Sequence, residues 1–280
     1  MIKLQHNEVW AFDAEWVPDP ATGRAVYGGT ESFSDGEVVE EMWRQGGATP
    51  EDPRPYLKTI MCRIISVSVV IRKTDLRPTP KLKLFSLPQP EDGTLAESQL
   101  LERFLGAIGR AKPQLVGFNS QSADLKILVQ RALVHRLHLP EFCTRPNKPW
   151  EGVDYFARGS DYHIDLKEEL SSWGNTTPTL HELACACSIP GKLETTGQNV
   201  IDLWMDGDIR RIVQYNECDA ISTYLLWLRV AHLAGKLSPE AFAQEEGLLE
   251  QLLESVGRQP NNEHLLRYLE HWRRLKTRRS

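Results

Sequence analysis

In the stretch Glu8–Trp16 an apolar run meets two acids, which constrains how a sheet can seat it. Val9-Trp10-Ala11-Phe12 is an apolar, strand-like run that leads straight into Asp13-Ala14-Glu15-Trp16. Side chains alternate along a strand, so Asp13 and Glu15 fall on one face. Two carboxylates side by side at the edge of a core repel each other unless a cation sits between them. An Asp-x-Glu pair at a strand end is more often simply solvated. Here the four apolar residues before it seat the pair against a buried sheet.

A second polar notch lies in residues 212–223, Ile-Val-Gln-Tyr-Asn-Glu-Cys-Asp-Ala-Ile-Ser-Thr, which read as helix. Tyr215 and Asp219 stand four apart and therefore stack on one helical face, beside the apolar seam of Ile212, Ile221 and Leu225. The plain alternative is that Asp219 pairs with a neighbouring arginine and Tyr215 is a boundary residue.

Between these notches the pattern alternates strand and helix. Arg63–Ile71 is a β-branched strand, and Lys81–Phe85, after the turn at Pro78-Thr79-Pro80, is its hairpin partner. A helix from Ala96 to Ala111 carries Leu100, Leu101, Phe104, Leu105 and Ile108 on one stripe. Gln114–Phe118 is a short strand that runs through Asn119-Ser120-Gln121-Ser122-Ala123-Asp124 into a helix over Leu125–Leu139. Asp124 thus stands where the carboxyl end of a strand gives way to a helix, the usual place for ligand groups in α/β sheets. It also suits a helix cap, and the two roles are compatible. His163–Leu166 reads as another strand, and Thr177-Pro178-Thr179-Leu180 starts a helix. Residues 18–58, rich in Pro, Gly, Ser, Thr and acids, read as a mobile polar insertion over the Asp13 region or as inert surface, with a helical turn at Val38–Trp43. From Leu237 the pattern is wholly helical, with starts at Ser238-Pro239 and Asn262. The last helix ends in a basic stretch, Arg273 to Arg279, read as a solvated tail or a phosphate contact.

The organisation expected is one α/β domain over residues 1–236 with a helical C-terminal extension over 237–280. A net charge of −5 excludes a protein that coats nucleic acid through bulk electrostatics, so any phosphate must be bound locally. The five cysteines are odd in number and form no Cys-x-x-Cys pair, against a disulfide framework or a zinc site; Cys185 and Cys187 read as small buried helix residues. No apolar run reaches the length of a membrane span and the first residues do not resemble a secretory signal, so a cytoplasmic, non-membrane protein is expected.

Strand, strand–helix junction and late helix each deliver acids: Asp13 and Glu15, Asp124, then Asp219 with Tyr215. Four carboxylates in one cleft would be hard to ionise together without cations. An all-oxygen ligand set selects Mg²⁺ or Mn²⁺ over zinc, and two such ions roughly 3.5–4 Å apart suit in-line attack on a phosphodiester.

The segments Phe12-Asp13-Ala14-Glu15, Asn119–Asp124 and Tyr215-Asn216-Glu217-Cys218-Asp219 resemble the three motifs of the DnaQ-like (DEDD) 3′–5′ exonucleases. In order and spacing they are similar to the proofreading domain of family B DNA polymerases and its stand-alone relatives, over about residues 8–230. Gln214 stands where the His-type branch has histidine, and Tyr215 marks the Tyr-type (DEDDy) branch. Ala123 departs from the aromatic residue usual before the second-motif Asp. The resemblance implies a ribonuclease H-like α/β fold with a mixed five-stranded sheet flanked by helices. It also implies two divalent ions, Mg²⁺ or Mn²⁺, held by Asp13, Glu15, Asp124 and Asp219. Asp13 would bridge the ions, Glu15 and Asp219 would help hold the one that activates water, and Asp124 the second, with Tyr215 orienting the water. Asn119 would lie near the terminal nucleotide. Trp16 would stack on its base, a contact worth about 1–3 kcal/mol, or else cover the sheet. The expected activity is hydrolysis from the 3′ end of single-stranded DNA, releasing nucleoside 5′-monophosphates. Trimming of RNA is the near alternative, and a non-catalytic nucleic-acid-binding subunit of the same fold the distant one.

Overall fold

The computed structural model describes residues 2–74, 79–89, 92, 95–148, 150–171, 177–191 and 197–278. In chain order the elements are β1 (Glu8–Pro18), α1 (Pro20–Tyr27), α2 (Asp35–Gln45), β2 (Cys62–Lys73), β3 (Lys81–Leu87), α3 (Glu97–Ala111), β4 (Gln114–Gly117), α4 (Asp124–Val134), α5 (Pro140–Cys143) and β5 (His163–Asp165). They continue with α6 (Leu166–Leu170), α7 (Leu180–Ala186), α8 (Gly197–Met205), α9 (Ile209–Leu233), α10 (Pro239–Gly257) and α11 (Glu263–Thr277).

The five strands form one sheet in the order β3-β2-β1-β4-β5. β2 runs antiparallel to β1 and β3, whereas β1, β4 and β5 pair in parallel. A meander of three strands extended by two parallel crossover strands, with helices on both faces, is the ribonuclease H-like arrangement.

Alternation along β1 sorts its residues between the two faces. Trp10, Phe12 and Ala14 enter a core with Leu100, Phe104 and Ile108 of α3 and Leu125 and Leu128 of α4. Val9 and Ala11 enter the other, with Ile221, Tyr224, Leu225 and Leu228 of α9. Asp13 and Glu15 continue this second face, so both point toward α9. In register they lie opposite Ser68 and Ser66 of β2, and the ladder slips between Glu15 and Trp16. Such a bulge bends the strand and re-aims the side chains beyond it.

The C-terminal helices share the α9-side core through Leu249, Leu253, Leu265, Tyr268 and Trp272. An ion pair fastens them. Arg72 of β2 donates to Glu245 of α10 at 2.8 and 2.7 Å, and the Tyr224 hydroxyl donates to the same carboxylate at 2.9 Å. Of the basic stretch at the end of α11, Arg273 and Lys276 pair with Glu246, Glu250 and Glu254 of α10.

Residues 18–58 differ from the mobile insertion expected. They fold into α1 and α2, which enclose a small core of Val38, Val39, Met42 and Trp43 with Met61. The reason is local: Asp19 caps α1, and Ser34 with Glu37 forms a reciprocal capping box on α2. The helix after Asp124 is shorter than its apolar pattern implies. It closes at Val134 with Arg136 at a φ of 55°, the Arg136 N–H bonded to Leu133 O and the Leu137 N–H to Ala132 O, both at 3.0 Å. This left-handed cap turns Leu137 back toward the core. The expectation for Cys185 and Cys187 holds only in part: α7 buries Ala184 and leaves Cys185 exposed, while Cys187, just past the helix, packs half-buried against the α9-side core. Of the turn expected at Pro78-Thr79-Pro80, residue 78 lies outside the described residues.

Candidate active site

β1 and α9 deliver three carboxylates to one place. Oxygen atoms of Asp13, Glu15 and Asp219 all lie within 4.8 Å of one another. Strand alternation sets the first two, and the packing of Ile212, Asn216 and Ala220 against the sheet turns Asp219 toward them. Tyr215, one helical turn before Asp219, hydrogen-bonds its carboxylate.

Asp124 arrives from the other side. β4 pairs with β1 only as far as Ala11, so the next N–H groups along that edge of β1 lose their ladder partners. Asp124, buried in the first turn of α4, accepts from the N–H of Ala14 at 3.1 Å, between the two acids of β1. Its side chain thus reaches across to the strand rather than capping α4, whose N-cap position is Ala123.

The electrostatics are those of acids that repel one another. Burial, then the charges of Asp124, Glu15 and Asp219, push Asp13 well above the usual carboxylate range, partly offset by a hydrogen bond from Asn216. Asp124 is pushed up to about 7 by burial, with Asp165 and Asp219 adding to the rise and the Ala14 N–H opposing it. The Tyr215 phenol is raised far above its ordinary value by burial and by Asp219, Glu15 and Asp13. It is therefore a donor. A cluster of this kind gains most from a divalent cation, and the donor set, all carboxylate oxygen, fits Mg²⁺ or Mn²⁺.

Asn119 stands in the β4–α4 connection at a φ of 63°. Its N–H donates to Asp165 Oδ1 at 2.8 Å, and its side-chain oxygen accepts from Lys167 Nζ at 3.2 Å. Trp16, just past the bulge, is half-buried against the α3/α4 core, which is the face opposite Asp13.

Sequence reasoning missed two residues that shape the site. Asp165, at the end of β5, accepts the N–H groups of Asn119, Gln121 and Lys167 at 2.8–3.0 Å and so pins the loop that carries Asp124. Its position at a strand–helix junction was the same signal that singled out Asp124. Asn216 is fully buried between Asp13 and Ser66, donating to Asp13 Oδ2 at 2.7 Å and accepting from Ser66 Oγ at 3.1 Å. An amide at a core-facing helical position, four after Ile212 and four before Ala220, was the available hint. The same connection is tightened at Gly117, where any Cβ would collide with Ser120, whose hydroxyl bonds the buried His163. On the opposite flank of α9 a cavity of about 490 Å³ is lined by Phe85, Arg210, Gln214, Glu217 and His264, and by none of the four acids.

Strand order and clustered acids define the class, a ribonuclease H-like protein with an acidic centre. The chain belongs to the family of predicted 3′–5′ exonucleases related to the exonuclease domain of PolB, which matches residues 54–272. That span takes in Asp124, Tyr215 and Asp219, and it begins after the strand that carries Asp13 and Glu15. A family B DNA polymerase from the hyperthermophilic archaeon Pyrobaculum calidifontis is similar in structure at a TM-score of 0.46 and 16% identity. The similarity covers 93% of this chain and 27% of the polymerase, so the chain spans little more than a quarter of that protein. Among curated proteins none matches the sequence. Among the described residues no helix is long and apolar enough to cross a membrane.

Proposed function

We propose that the chain is a 3′–5′ exonuclease that uses two divalent ions, Mg²⁺ or Mn²⁺, to remove nucleoside 5′-monophosphates from the 3′ end of single-stranded DNA. The observation that carries this reading is the convergence of Asp13, Glu15 and Asp219 within 4.8 Å, with Tyr215 on Asp219 and Asp124 on the adjoining backbone. Asp13, Glu15, Asp124 and Asp219 are assigned as the residues that would hold the cations. When bound, these supply the positive charge that offsets the carboxylates and the charge that builds up on the phosphate.

The chain's own groups do the rest. A neutral phenol is a poor base but a good donor, so Tyr215 is assigned to orient a water rather than to deprotonate it. Asn119, anchored by Asp165 and Lys167, sits on the loop of Asp124, where it would meet the terminal nucleotide. Trp16 packs against the α3/α4-side core, and stacking on a base would require its ring to leave that face. The preference for single-stranded DNA rests on kinship with the polymerase exonuclease domain.

A 5′-labelled single strand incubated with the protein and Mn²⁺ should shorten in single-nucleotide steps from its 3′ end, and EDTA should stop it. If Asp13→Ala and Asp219→Ala both leave degradation unchanged, the nuclease is a contaminant and the binding-subunit reading replaces this one. RNA of the same sequence, degraded faster than DNA, would move the substrate class.

A further inference from the structure

We propose that Asn216 is a positioning residue that presents Asp13 to the cations, and that Ser66 holds its amide in the required orientation. The inference rests on the metal-dependent reading above and deepens it. Asn216 is fully buried, as is Ser66, and a buried amide is tolerated when its polar ends are satisfied. Here each end has a defined partner. Nδ2 donates to Asp13 Oδ2 at 2.7 Å, and Oδ1 accepts from Ser66 Oγ at 3.1 Å.

The chemistry fixes which end faces which way. A carboxylate that holds a cation is ionised and only accepts, so the amide must turn its NH₂ toward Asp13. Ser66 can donate or accept, and its hydroxyl resolves the choice by donating to Oδ1. A flipped amide would set oxygen against oxygen at Asp13. With Oδ2 held, rotation of the Asp13 carboxylate about its last bond is restricted, and Oδ1 presents its lone pairs in one direction.

Geometry explains why the partner comes from this position. Glu15 pairs with Ser66 across β1 and β2, and Asp13 pairs with Ser68. Asn216 on α9 therefore bridges diagonally, from the acid on one strand to the hydroxyl beside the other acid. It ties α9, which brings Tyr215 and Asp219, to the register that brings Asp13 and Glu15. It is also the hydrogen bond that opposes the like-charge repulsion on Asp13. Partners that orient metal ligands typically account for about 10–100-fold in metal affinity or activity.

The test is titration calorimetry of Mn²⁺ into the full chain, Asn216→Ala and Ser66→Ala, without substrate, alongside the Mn²⁺ concentration that half-activates DNA hydrolysis. The expected result is Mn²⁺ affinity about ten-fold weaker or worse in Asn216→Ala, with half-activation displaced by the same factor. Turnover at saturating Mn²⁺ should fall less than affinity. Ser66→Ala should move both readouts in the same direction by a smaller factor. Thermal unfolding in EDTA identifies a variant that has not folded; should Asn216→Ala fail, Ser66→Ala decides on the same readouts. Folded variants that bind Mn²⁺ as tightly as the unsubstituted chain overturn the proposal. An unsubstituted chain that binds no Mn²⁺ overturns the metal-dependent reading instead, so the two failures are distinct.

Discussion

Asp13 and Asp19 stand six residues apart, one inside β1 and one just past its end, and their surroundings push them in opposite directions. Burial raises both. At Asp19 it is outweighed by hydrogen bonds from Thr22 and by the charge of Arg131, whose Nη1 lies 2.8 Å away, and the carboxyl is held below its usual range. At Asp13 three other carboxylates add to burial and hold it well above. The Arg131 side continues through Glu97, which takes Arg131 in two hydrogen bonds of 2.9 and 2.7 Å, the Ile64 N–H and His135. There the charges close on themselves and fasten α1, α3 and α4 to the strand. Around Asp13 three neighbouring carboxylates repel its charge, and that repulsion is what a cation would offset. A buried acid with a cationic partner is structure, whereas half-buried acids turned toward one another suit a bound cation.

The largest effect that tests this contrast is on turnover. Asp13→Ala should lower the rate of hydrolysis by at least about a thousand-fold, since a metal's charge stabilisation is worth several kcal/mol. The same variant should melt close to the parent in EDTA, because the repelling charge it removes offsets the buried Asn216 donor it leaves without an acceptor. Arg131→Met should do the reverse. Leaving Asp19 and Glu97 buried without their cation should cost about 3–5 kcal/mol in denaturant unfolding. If Asp13→Ala destabilises as much as Arg131→Met, the two clusters are alike and the contrast is lost.

A pH series sharpens the comparison. Asp124, pushed up to about 7, binds its proton more tightly folded than unfolded. Its contribution to stability is therefore present at low pH and lost as pH rises toward 7, on the order of a few kcal/mol. Asp19 has the opposite sign: its contribution is present above the ordinary carboxylate range and lost as pH falls through its depressed value. In EDTA, the stability difference between the parent and Asp124→Asn should grow to the parent's disadvantage between pH 4 and 7, and Mn²⁺ at pH 7 should erase it. A difference flat with pH would count against the raised value. Tyr215→Phe should slow hydrolysis about ten- to a hundred-fold with Mn²⁺ affinity kept, as loss of orientation does; full activity would remove Tyr215 from the reaction. The smallest effect belongs to Arg273→Ala, an exposed pair with α10, which should shift stability by less than about 1 kcal/mol.

Much of this was legible in the sequence because it follows from period and position. Alternation in Val9–Glu15 placed Asp13 and Glu15 on one face, the spacing of Tyr215 and Asp219 placed both on one side of a helix, and the strand–helix junction placed Asp124. The sheet was legible from its β-branched runs. Residues 18–58 were not, since their helices are defined by caps at Asp19 and Ser34 and by four core residues scattered among polar ones. The length of α4 was misjudged because an arginine in a left-handed cap leaves no mark in the apolar pattern. Asn216 and Asp165 were less legible for a different reason: helical spacing and a strand–helix junction mark their positions, but the partners through which they act, Asp13 and the loop of Asn119, lie far off in the chain.

Diffraction from crystals grown with Mn²⁺, collected at the manganese edge, tests the central claim most directly. Two anomalous peaks are expected among Asp13, Glu15, Asp219 and Asp124, with Asp13 touching both. Peaks confined to other surfaces, with these four carboxylates left bare, would contradict it.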